Sequence, residues 1–206
     1  MKNPKMATIV AVMIAAVSML ATASISSATN LYKYTTPSAN DRIALGTEIV
    51  GSLEPQTSLL WKDTLGGAND TCTSSEFKGQ LERDTSTSGD AGGKLSTLTF
   101  TGCSHTTTVL APGEWEIKAI AGTTNGTLIS RGMRVTTKTT IFGISCVAAT
   151  GAGTTIGTVT GAKSSTAKAT IDINGVVTKE NGCGDSTWTG SYWITSPVGL
   201  TIEPDF

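Results

Sequence analysis

An all-β fold, either an antiparallel β-sandwich or a flattened Greek-key barrel, is predicted by three features of the sequence. Short β-branched runs alternate apolar and polar residues with period two. Gly, Asn, Asp and Pro punctuate those runs at short intervals. No stretch beyond the N-terminal segment carries a helical repeat. Threonine, abundant throughout, suits pleated surfaces better than helix interiors and points the same way.

The N-terminal segment stands apart. Met1-Lys2-Asn3-Pro4-Lys5 is short and positive, and an apolar run follows from Met6 to Leu20. Ala21-Thr22-Ala23 and Ser26-Ser27-Ala28 each offer the small-x-small pattern of signal cleavage, so residues 1–28 are expected to be an export signal. As an uncleaved anchor the run would be weakly apolar, because Ala, Thr and Ser crowd its end. No lipidation cysteine follows it. Thr29 to Asn40 lacks periodicity and reads as a flexible lead-in (29–40), leaving 41–206 as a single all-β domain. Two small subdomains joined near Ala111-Pro112-Gly113 are the alternative. The expected location is extracellular or in the cell envelope.

Lys2 and Lys5 leave with the signal, so the 15 basic residues fall to 13 against 16 acidic ones, a net charge of −3 in place of −1. With no basic block, the composition argues against nucleic acid or an anionic membrane as partner. No second apolar run is long enough to span a bilayer. Cys72, Cys103, Cys146 and Cys183 all lie in the exported part, where an even number reads as two disulfides. Of the three connectivities, Cys72–Cys103 with Cys146–Cys183 is favoured, each pair being nearest in sequence. Metal binding is poorly supported, since there is no Cys-x-x-Cys and His105 is the sole histidine.

In chain order, Thr97-Leu98-Thr99-Phe100-Thr101 turns Leu98 and Phe100 inward. Glu114 to Ala119 places Trp115, Ile117 and Ala119 on one face, with Glu114, Glu116 and Lys118 on the other. Met133, Val135, Thr137, Thr139 and Ile141 alternate with Arg134, Thr136, Lys138 and Thr140, and Ala167, Ala169, Ile171 and Ile173 follow the same pattern. Such patterning means half-buried antiparallel strands. Turn signals fall at Gly66-Gly67-Ala68-Asn69, Ser88-Gly89-Asp90, Pro112-Gly113, Gly151-Ala152-Gly153 and Asn181-Gly182. Asn125-Gly126 is expected to be a two-residue hairpin turn; Asn174-Gly175 reads either as a turn or as strand. Ten to twelve strands are predicted.

Thr71-Cys72-Thr73-Ser74-Ser75, Leu98 to Cys103, Phe142-Gly143-Ile144-Ser145-Cys146 and Trp188-Thr189-Gly190-Ser191-Tyr192 recur in this order in a family of small exported bacterial proteins, actinobacterial and proteobacterial, mostly without assigned function. The chain resembles them from about Ala44 to Pro197. The resemblance implies the signal peptide, the all-β fold and the disulfides, and it brings no catalytic residues. More distantly, the Cys-framed, Thr/Gly-rich layout is similar to exported activators of alkane oxidation.

Chemistry is sparse. His105 sits beside a disulfide cysteine and reads as a surface histidine; Ser104 is not made a nucleophile by adjacency. Glu114 and Glu116 have the spacing of paired carboxylates, but salt bridges to Lys or Arg explain them more simply. No catalytic residue, cofactor or metal ligand is assigned, and a non-enzymatic structural or binding role is expected. The one feature with binding potential is aromatic. Alternation through Trp188 to Ile194 puts Trp188 and Tyr192 in the core and Trp193 outward with Thr189, Ser191 and Thr195. That surface is the candidate for a carbohydrate or hydrophobic ligand, in a role that would aid uptake of apolar substrates; the competing explanation is a segment folded over the ring. Thr-rich edge strands are also compatible with self-association.

Overall fold

The computed structural model describes residues 29–34, 41–63, 69–84, 89–138, 145–180 and 184–204. The segment read as a signal lies outside them, as do residues 35–40, Gly66-Gly67-Ala68, Ser88, Thr139 to Ile141, Asn181-Gly182 and Cys183.

Fourteen strands are described: β1 (Thr29–Lys33), β2 (Glu48–Leu53), β3 (Leu59–Asp63), β4 (Asp70–Gln80), β5 (Ala91–Cys103), β6 (Thr106–Ala111), β7 (Glu114–Ala119), β8 (Asn125–Arg131), β9 (Arg134–Lys138), β10 (Ser145–Ala149), β11 (Thr154–Thr160), β12 (Thr170–Glu180), β13 (Ser186–Ser196) and β14 (Leu200–Pro204). The pairings β2–β4–β5–β7–β8–β11–β12–β13–β2 close on themselves, all antiparallel, into an eight-stranded barrel. β3 continues the wall position of β2, pairing with the far halves of β4 and β13. Neighbours around the ring follow chain order. The connections are therefore those of a meander where the sequence suggested a Greek key, because each wall strand turns directly onto its neighbour or returns to it after a local excursion.

The barrel has two different ends. At one, β1 and β14 form a short sheet whose Leu31, Leu200 and Ile202 are buried. Thr29 anchors it, donating its N–H to Gly89 O and accepting one at 2.8 Å from Ala119. The segment expected as a lead-in thus begins with a strand, whose partner lies at the opposite end of the chain where no local period reveals it. At the other end, β6, β9 and β10 form a flap joined to the last residues of β12 through Val147–Ala149. Its Met133, Val135 and Ala148 pack into the common core.

One turn reading changes and one open reading is settled. The β7–β8 loop is 120–124, with Gly122 at φ +73° and Thr123 Oγ1 donating to Ile120 O at 2.8 Å. Asn125 and Gly126 already belong to β8, where Gly126 pairs with Ala119. Gly126 serves packing: a Cβ there would lie 2.6 Å from Ile117 Cγ2. Asn174-Gly175 is strand, since β12 runs through it. The outer wall presents Glu76, Thr97, Thr99, Lys118, Thr158 and Asp172 to solvent.

Candidate ligand site

Alternation turns every second wall residue toward the barrel axis. Ile49, Phe77, Leu98, Ile117, Leu128 and Ile171, from six different strands, thereby converge on an internal cavity of about 60 Å³. That is several times the ~10–15 Å³ one water needs and well below the ~150 Å³ that admits benzene. Leu31 and Leu200 close the cavity at one end, and Met133 contributes from the flap end.

Few polar atoms reach this space. The Tyr192 hydroxyl donates to Ser75 Oγ at 2.9 Å, both residues buried. Burial pushes the phenol well above its ordinary range, the Ser75 hydrogen bond only partly offsetting it, so the group stays neutral. Trp115 and Trp188 also line the cavity, 8% and 3% exposed, and neither indole N–H has a hydrogen-bond partner. Trp188 stacks on Trp61 at 4.9 Å, and both meet Phe100 edge-on. Among the described residues no Lys, Arg or His lines the cavity, and Glu114 is the one charged residue that does.

The predicted surface residues lie outside this space. Trp193 points outward and is half-buried, with Lys168 Nζ 4.3 Å over its ring centroid. Ser191 Oγ donates to Asp172 at 2.8 Å and Thr195 Oγ1 to Val50 O at 3.3 Å. Thr189 pairs through its backbone with Leu60 and Asn174. A cation therefore occupies one ring face, and two of the three hydroxyls near it already donate within the protein.

At the flap end the Cys72–Cys103 disulfide joins β4 to β5. Cys146 is not a free thiol, and its expected partner Cys183 lies outside the described residues. Next to the disulfide, the fully buried Asp70 carboxylate accepts from Ser104 Oγ at 2.9 Å, from His105 N at 2.9 Å and from Thr107 Oγ1. His105 Nδ1 lies 3.3 Å from Ser104 Oγ and 3.7 Å from Asp70. Serine, histidine and aspartate do meet, but both partners address the same ring nitrogen and the serine proton goes to the carboxylate. A relay needs the two partners on opposite nitrogens. The cluster acts as a clamp on the β5–β6 turn. Asp70 and the two cysteine sulfurs also lie within 4.8 Å of one another, but the sulfurs are spent in the disulfide.

Glu116 is held by Arg131 Nη2 at 2.8 Å and Nε at 3.1 Å, and Glu114 faces Arg83 at 3.5 Å. These are the ion pairs that the sequence favours over a carboxylate pair. Comparison of the chain with family models, curated proteins and solved structures finds no match of any kind.

The sequence places Trp115, Trp188 and Tyr192 in the core, and they are buried. What it leaves unseen is a void between them. Period-two alternation names the inward residues without saying whether they fill the barrel.

Proposed function

We propose that this chain is an exported, non-enzymatic β-barrel that holds one small apolar molecule in its interior. The carrying observation is the apolar cavity inside a closed ring of strands. Barrels of eight strands are just wide enough either to be filled by side chains or to keep room for one small ligand. The polar outer wall supports a barrel that faces water, since a lipid-facing barrel carries its apolar residues outside. The N-terminal signal pattern and the Cys72–Cys103 bridge support an oxidising destination. We extend the same reading to a Cys146–Cys183 bridge, and we read the closed ring as a barrel with a cavity in preference to two sheets pressed together. The resemblance to exported activators of alkane oxidation agrees with an apolar ligand.

The test is binding of xenon and of propene, both much smaller than benzene, to the mature protein, followed by xenon NMR and by thermal melting. Saturable binding with a midpoint that rises with ligand concentration is expected. Leu128→Phe, which puts bulk into the cavity, should abolish it while the protein stays folded. Absence of saturable binding by both probes would refute the reading.

A further inference from the structure

We infer that the short sheet of β1 and β14 is the lid through which a small apolar molecule enters and leaves the barrel; the inference rests on the cavity reading above and assigns its moving part. A molecule held in such a space exchanges with water only when some part of its enclosure opens. The ring is a poor place to open, because each of its eight positions pairs on both sides and parting two strands breaks several ladder bonds at once. That leaves the two ends.

The flap belongs to the same hydrogen-bonded array as the ring, through the pairing of β10 with β12. Its first turn is clamped by the buried Asp70 carboxylate, which accepts from Ser104, His105 and Thr107 beside the Cys72–Cys103 bridge. The β1–β14 sheet is built differently. It is a separate two-stranded unit that continues no strand of the ring. Scattered bonds tie it to the barrel: Thr29 N–H to Gly89 O at 2.6 Å, Ala119 N–H to Thr29 Oγ1 at 2.8 Å and Ala162 N–H to Leu200 O at 2.8 Å.

Lifting this sheet uncovers the cavity directly, since Leu31 and Leu200 are part of the lining. What it buries is also not wholly apolar. Thr29, Asn30 and Thr201 are buried with the leucines, and Thr201 Oγ1 has no hydrogen-bond partner among the described residues. Buried polar groups regain water when the sheet lifts, so opening costs less than it would for an all-apolar plug. Units of low local stability are the ones from which lids are drawn.

The experiment measures how fast xenon and propene exchange between water and the mature protein, by NMR saturation transfer and line broadening. Two matched variants each replace a hydroxyl by a methyl. Thr29→Val deprives the Ala119 N–H of its acceptor at the lid, and Thr107→Val removes one donor to Asp70 at the flap. Neither residue lines the cavity. In Thr29→Val both ligands should exchange at least about fivefold faster, the effect of one buried donor left unpaired in the closed state, with Kd within about twofold of the original. Thr107→Val should leave the rates unchanged. Should Thr29→Val fail to fold, hydrogen exchange in the unsubstituted protein decides: amides bonded between β1 and β14 should open more often than those bonded between β10 and β12. Rates unmoved by Thr29→Val, rates raised as much by Thr107→Val, or flap amides that open first overturn the inference, while saturable binding keeps the cavity reading alive. If neither probe binds, both fall.

Discussion

Glu116 is 6% exposed on the outer side of β7, yet it remains ionised. Burial pushes its carboxyl up, but the hydrogen bonds and charge of Arg131, with Lys118 at 3.5 Å, outweigh that and hold it below the ordinary glutamate range. A depressed folded pKa means that the stabilisation is present above the unfolded value of about 4.3 and is lost as pH falls through the folded one. Glu116→Gln should therefore lower stability at pH 7 by about 1.5–3 kcal/mol, the range for hydrogen bonds to charged groups. The gap to the unsubstituted protein should close progressively below about pH 4.3, as urea melts at a series of pH values would record; a constant gap would contradict it. Strand alternation and charge made the Glu116 pairing legible in the sequence. Asp70 was not, because its three donors follow it by more than thirty residues and meet it only when β4 and β5 pair.

At the scale of the element, the β7–β8 hairpin shows how a local signal misleads. Asn-Gly favours a two-residue turn, but that turn would pull the inward residues Ile117 and Leu128 out of the register they hold across β7 and β8. The chain turns five residues earlier in the loop 120–124 and uses Gly126 as a gap for the Ile117 side chain. Gly126→Ala should then cost about 1–3 kcal/mol through overpacking. One glycine inserted between Gly122 and Thr123 should cost less than about 1 kcal/mol, loop closure depending weakly on length. Denaturant melts of the two variants give the ranking, which would be reversed if Asn125-Gly126 formed the turn. β1 illustrates the opposite failure, a real strand with no local mark. Thr29-Asn30-Leu31-Tyr32-Lys33 becomes a strand because β14 offers an edge for it.

Over the whole molecule, the ring of eight wall positions ties distant segments together, and the Cys72–Cys103 bridge reinforces one of its seams. A separation of 31 residues corresponds to about 3–4 kcal/mol in the chain-entropy account. Cys72→Ser with Cys103→Ser should lose an amount of that order in urea melts. The same melts on reduced protein should lose more, since peptide mapping without reductant is expected to find Cys146 joined to Cys183. Recovery of Cys146 as a free thiol, or bound to another cysteine, would defeat that pairing.

The sequence by itself determined the all-β class, the outward placement of Trp193 and the inward Trp115, Trp188 and Tyr192, and it favoured the Cys72–Cys103 pairing that the β4–β5 register then brings about. Each follows from alternation or from spacing along one stretch of chain. Only the tertiary structure decided that the strands close into a meander, that β1 joins β14, and that the barrel interior retains an apolar space. Those outcomes depend on which edges meet and on how volumes add up around an axis, quantities to which each strand contributes only a part.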